Sequence, residues 1–259
     1  MSRTDPPPIL EVRHVSRNFG KFQALSDVSL QVPQGRLSAL IGPNGAGKTT
    51  FYNVISGRYR PTTGTVHFDG EDVTGLAPHR LVARGMLRSF QITNVFPELT
   101  VLENVLVPLI VHHKAGFAFL KSLSGRSDWV EEAEAILERV GLRDMRHRVV
   151  STLAYGDKRL IEIALVLARN PKLVLLDEPT AGMNPEETDR MIHLIQELAE
   201  QSGTTFFITE HDMKVVFSVA QQIYVLHQGS LLAEGTPEDI RANDMVKQAY
   251  LGGSLYAPA

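Results

Sequence analysis

One unbroken run, Gly42-Pro43-Asn44-Gly45-Ala46-Gly47-Lys48-Thr49-Thr50, constrains this chain more than any other stretch. Gly42 to Thr49 fits the P-loop pattern G-x-x-x-x-G-K-[ST] without a gap. It leaves a short apolar strand predicted over Arg36–Ile41 and enters a helix predicted through Ile55. Each residue type suits a phosphate chain. The glycines let backbone N–H groups turn inward around phosphate oxygens, and the following helix presents its positive N-terminal end to the same anion. Lys48 supplies a full charge to the β- and γ-phosphates, and the Thr49 hydroxyl is a ligand for Mg²⁺.

A second segment completes this chemistry. Leu173–Leu176 is a fully apolar strand that delivers two carboxylates, Asp177 and Glu178, at its C-terminal end. Ligands of open α/β sheets bind at that end. Alone, two acids after an apolar strand fit plain solvation of a strand end equally well. Beside the P-loop they read as a pair with distinct roles. Asp177 holds Mg²⁺ through water, and Glu178 polarises the attacking water as general base.

The rest of the chain frames these segments. Ile9–Val15 and Val28–Val32 alternate apolar and polar residues as half-buried strands do, Gln34-Gly35 is a turn, and a strand around Gly64–Asp69 closes on Asp69-Gly70. From 93 to 153 the pattern is helical. Val130, Ala133, Ile136, Leu137 and Val140 fall on one face, and Gly141-Leu142 ends that helix. The last third alternates again. Helices are predicted over Arg159–Arg169 and Glu186–Gln201, strands over Thr204–Thr209 and Ile223–Leu226, and a helical tail over Pro237–Leu251. Such alternation predicts a mainly parallel sheet covered on both faces.

Composition narrows the function classes. The net charge of −3 argues against a nucleic-acid partner. There is no cysteine, which removes disulfides, thiolate metal sites and thiol catalysis. Met1 to Pro8 lacks the apolar core of a secretory signal, and Val105–Val111 and Leu173–Leu176 fall far short of the roughly 20 residues that span a bilayer. The expectation is a chain that docks on a membrane through partners.

Further segments carry a family resemblance. Leu153-Ala154-Tyr155-Gly156-Asp157 resembles the ABC signature L-S-G-G-Q, Gln91 the Q-loop glutamine, and Ala181-Gly182-Met183-Asn184-Pro185 the D-loop. His211 resembles the switch histidine, and Phe19 holds the place of the aromatic that stacks on adenine. The order and distances match from about Ile9 to Gly252. Ala154, Tyr155 and Asn184 depart from the general pattern. Together with Glu210-His211-Asp212-Met213-Lys214 and Ala249-Tyr250-Leu251-Gly252 they resemble the ATPase subunits of branched-chain amino acid importers.

The resemblance implies an α/β fold of the P-loop NTPase type. It has a mainly parallel core sheet, an N-terminal antiparallel β subdomain and an inserted α-helical subdomain. One domain is expected over 9–252, with 9–92 and 154–236 as the core and 93–153 as the helical insertion. A C-terminal helix and tail follow at 237–259. It implies ATP and Mg²⁺ as ligands, with Thr49, Gln91 and Asp177 at the metal. It implies catalysis by Glu178, His211, Gln91 and Lys48, and a signature, Leu153 to Asp157, that serves the ATP of an opposing subunit. Implied partners are a second ATPase subunit, different or identical, membrane permeases and, indirectly, a solute-binding protein. The implied location is the cytoplasmic membrane face. Lipopolysaccharide export and urea import remain open as cargoes, and a soluble ABC ATPase of DNA repair or translation as a different class. The apolar segment from Gln91 to Asn104, with Phe96 at its middle, is expected to receive a permease helix.

Overall fold

The computed structural model describes residues 8–89, 95–113 and 127–250. Gln91 and Leu251-Gly252, singled out above, lie outside these residues. The chain divides into two units, Met1–Arg88 with Lys172–Pro179 and Ile195–Ala259, and Ser89–Pro171 with Thr180–Leu194.

The first unit holds both sheets. β1 (Pro8–Phe19) and β2 (Phe22–Pro33) pair antiparallel, with Leu10 opposite Val32, Val12 opposite Leu30 and Val15 opposite Val28. These are the alternating apolar positions, and all six are buried. β4 (Thr63–Phe68) joins the other side of β1, followed by β5 (Glu71–Asp72). The turn between them puts Asp69 and Gly70 at φ of 50° and 79°, the left-handed pair that a tight hairpin requires. At Gly64 a Cβ would lie 2.3 Å from the His14 carbonyl oxygen, so only glycine permits this pairing.

The second sheet runs β10 (Ser230–Gly235), β9 (Gln222–His227), β3 (Leu37–Ile41), β8 (Thr205–Thr209), β7 (Leu173–Asp177), β6 (Met86–Arg88). All pairs are parallel except β10 with β9. β3, β7 and β8 are buried at every position, as expected of parallel strands covered on both faces. Tyr52 of α1 (Lys48–Ile55) donates to the Phe207 carbonyl at 2.7 Å. Its ring packs with that of Phe207, which meets Tyr224 edge-on. Burial of each such ring contributes about 1.5–3 kcal/mol, so the helix after the glycine loop is fixed firmly to β8.

The second unit is helical: α3 (Val101–His112), α4 (Ser127–Arg139), α5 (Tyr155–Leu167) and the first half of α6 (Pro185–Ser202). Thr100 and Glu103 form a capping box on α3. Ala133, Ile136, Leu137 and Val140 are buried on the face the periodicity selects, with Val130 half-buried. The unit reaches beyond 93–153 to include α5 and the start of α6. α5 begins at Tyr155, which puts Gly156 in its first turn, and its N-cap, Ala154, makes no side-chain capping bond. The C-terminal segment forms two short helices, α8 (Pro237–Ala242) and α9 (Asp244–Tyr250), separated by Asn243. Between β5 and β9 lie also α2 (Pro78–Val82) and α7 (Met213–Val219), which the sequence reading did not resolve.

Candidate active site

The loop Gly42 to Gly47 leaves β3 and enters α1 as its residue types require. Gly45 and Gly47 take φ of 79° and 105°. A Cβ at Gly47 would come within 2.9 Å of the Ala24 carbonyl oxygen. The loop is pinned by Ala46 N–H donating to Pro43 O at 3.1 Å and Gly229 N–H donating to Ala46 O at 2.9 Å. No side chain caps α1, so its first N–H groups face the loop for an anion to take. Replacing Gly47 with alanine should destabilise the protein by about 1–3 kcal/mol, through a left-handed backbone and the Ala24 contact. Urea unfolding of the purified variant checks this, and an unchanged midpoint would contradict the loop geometry.

A cleft of about 310 Å³ lies against this loop, lined by Phe22, Ala24, Asn44 to Thr50 and Glu178. The loop residues and the carboxylate at the end of β7 are thus brought to one place. Lys48 Nζ donates to the carbonyls of Gly42 at 2.5 Å and Pro43 at 3.2 Å. Partial burial pulls the Lys48 pKa below its usual value, and the Glu178 and Asp177 carboxylates oppose that shift.

Glu178 has φ of 49°, a left-handed conformation that is uncommon for a residue other than glycine. Its N–H donates to the carbonyl of Thr209 at 3.0 Å and to the Thr209 hydroxyl at 3.2 Å. That hydroxyl in turn donates to Asp177 Oδ1 at 2.6 Å. Arg88, at the end of β6, holds Asp177 Oδ2 at 2.8 Å.

The donor set fits Mg²⁺. Among the described residues no group of three or more His, Cys, Asp or Glu side chains is placed to hold a metal. A hard cation here would be offered one hydroxyl and one carboxylate, with phosphate oxygens and water to complete its shell, which is how Mg²⁺ is usually bound. His211 lies just past β8, exposed, its Nδ1 3.8 Å from Glu210 Oε2, and it is not among the cleft-lining residues. The aromatic ring on the cleft is that of Phe22. Phe19, across the same turn, packs edge-on against Tyr59 with the Arg17 guanidinium 4.6 Å from its ring centre.

In the second unit, Leu153 to Asp157 forms the start of α5. Ala154 is its N-cap and makes no side-chain hydrogen bond. Tyr155 donates to Ala181 O at 3.3 Å and accepts from Arg159 Nε at 3.2 Å. A Cβ at Gly156 would meet Glu187 Oε1 at 2.6 Å. Glu187 accepts from Asn184 N–H while Asn184 Oδ1 accepts from Glu187 N–H, both at 3.0 Å. Asn184 therefore does the capping work of an aspartate at the start of α6. Asp157, where the resembled signature has glutamine, faces Arg190 at 3.5 Å, a departure the sequence reading passed over.

Residues 25–181 match the family described as ABC transporter, and residues 230–255 the one described as branched-chain amino acid ATP-binding cassette transporter. The chain is 42% identical over 253 residues to the high-affinity branched-chain amino acid transport ATP-binding protein BraF of Pseudomonas aeruginosa, covering 95% of this chain and 98% of that one. It superposes with a TM-score of 0.84 on the crystal structure of an ATP-binding cassette of an ABC transporter in its ADP conformation, at 33% identity and covering 95% and 99% of the two chains. A dimeric cassette in a post-hydrolysis state, bound to ADP and Pi, is similar with a TM-score of 0.72 and 28% identity, covering 88% of this chain and 98% of that one.

Proposed function

Because this chain belongs to the ABC transporter family, we propose that it is the ATP-hydrolysing subunit of an importer whose cargo is branched-chain amino acids. The observation that carries the chemistry is the cleft in which Asn44 to Thr50 and Glu178 meet. The cargo rests on the relatives named above and on the match of residues 230–255.

In this reading the backbone N–H groups of the loop and the N-terminus of α1 bind the phosphates of ATP. Lys48 leaves the carbonyls of Gly42 and Pro43 for the β- and γ-phosphates. Thr49 and Asp177, with Gln91, hold Mg²⁺, which supplies positive charge to the phosphate oxygens when bound. Glu178 accepts the proton of the attacking water, and His211 moves in over the γ-phosphate. Phe22 or Phe19 stacks on the base.

The uncapped start of α5, Leu153 to Asp157, serves the ATP of a second ATPase subunit packed head to tail. A different chain is the expected partner, with a second copy as the alternative. Among the described residues no helix is long and apolar enough to cross a membrane. In this reading membrane attachment runs through permeases on the cytoplasmic face. Phe96 offers a docking ring. It is exposed, while Asn104 clamps its backbone N–H at 2.7 Å and its carbonyl at 3.0 Å. Affinity purification from membranes tests the assembly; recovery without permeases and without a second ATPase chain would oppose it.

Gly156→Asp probes the subunit arrangement. The new carboxylate would stand against Glu187 and face incoming phosphate with like charge. ATP binding to the isolated subunit should stay within about twofold of native, while hydrolysis in the assembled transporter falls by about tenfold or more. Lost ATP binding in the isolated subunit would place the signature in its own site.

A further inference from the structure

Arg88 is a largely buried charge that the mechanism above does not use. It ends β6, three residues before Gln91, and only 11% of its side chain is exposed. Its Nη2 donates to Asp177 Oδ2 at 2.8 Å. Its Nη1 donates to Asn53 Oδ1 at 2.8 Å and to Ser56 Oγ at 3.0 Å. Both of those acceptors belong to the helix of the phosphate loop or its last turn. The guanidinium also lies 5.7 Å from the centre of the Tyr52 ring. One side chain therefore joins the loop helix, the strand that leads towards Gln91 and the metal-facing carboxylate.

The charges decide what this arrangement does. A guanidinium stays protonated at all working pH values. Asp177 is buried, and with Arg88 on one oxygen and the Thr209 hydroxyl on the other its charge is satisfied without any metal. A divalent cation approaching Asp177 meets a fixed positive charge within hydrogen-bond range of the same carboxylate. In a poorly screened interior that repulsion is large. The attraction of ATP phosphates is what tips the balance.

We propose that Arg88 is a positioning residue that acts as the standing counter-ion of Asp177. It keeps the metal seat built but empty of metal until a nucleotide brings Mg²⁺ with it. Asn53 and Ser56 aim the guanidinium, so the loop helix sets how firmly Asp177 is held. The inference rests on the reading of Asp177 as the metal-facing carboxylate.

The test is a titration of the full nucleotide-free chain with Mn²⁺, free ion being counted by electron paramagnetic resonance. The native protein should bind weakly. Arg88→Gln removes the charge but keeps a hydrogen-bonding amide, and should bind Mn²⁺ at least about tenfold more tightly. Arg88→Lys keeps the charge and should stay within about twofold of native. Adding Asp177→Asn to the glutamine variant should abolish its gain. A folded glutamine variant with native or weaker affinity overturns the proposal, and so does a lysine variant that gains tenfold. Should the glutamine variant not fold, the lysine variant decides alone by the same criterion. Asp177→Asn by itself, loaded with ADP, tests the underlying reading. Unchanged Mn²⁺ retention there means Asp177 is not at the metal, whereas weakened retention with no effect at Arg88 rejects the counter-ion role alone.

Discussion

Glu178→Gln lowers the rate of ATP hydrolysis by about 10²–10⁴, the usual contribution of a general base, and leaves ATP binding within about twofold of native. The two side chains have the same shape, and the backbone of residue 178 is fixed by N–H donation to Thr209 rather than by its own side chain. The variant should therefore fold with the cleft intact and lack only the proton acceptor. Single-turnover hydrolysis measured beside equilibrium ATP binding separates the two effects. More than half the native rate would remove Glu178 from the role of base and leave its left-handed backbone without a functional explanation.

Lys48→Ala has the second large effect. A charge-assisted hydrogen bond to phosphate is worth about 1.5–3 kcal/mol, so ATP affinity should fall by about 10- to 100-fold and turnover should become undetectable. The nucleotide-free protein also loses something. Lys48 Nζ ties the carbonyls of Gly42 and Pro43 together across the loop, and alanine releases both. Part of the lost affinity is then the ordering of a loosened loop, visible in calorimetry as a more unfavourable binding entropy. Native ATP affinity and turnover in the purified variant would defeat the phosphate-loop reading.

Much of this site was legible because its parts are local. The glycine loop, the apolar strand before Asp177 and the alternation in β1 and β2 each declare themselves within a dozen residues. What escaped was non-local or lacked a distinguishing residue type. Arg88 and Asp177 lie 89 positions apart, and nothing at either end announces an ion pair. β6 is three residues long, too short for a periodic pattern. Phe19 and Phe22 flank one turn and read alike. The fold puts Phe22 on the cleft and lays Phe19 against Tyr59. Asn184, a departure in the sequence, is an ordinary helix cap in space.

The Thr209 hydroxyl ties the segments of the two acids together in space. It gives its proton to Asp177 and receives the N–H of Glu178. The proposed metal ligand and the backbone of the proposed base thus share a contact with one atom that belongs to neither. A change to valine, nearly the same in outline, would take one hydrogen bond from Asp177 and leave the Glu178 N–H with the carbonyl of residue 209 alone. Serine or threonine at 209 keeps the shared contact, because each carries a hydroxyl. Asp177 should therefore feel a change at 209 more than Glu178 does.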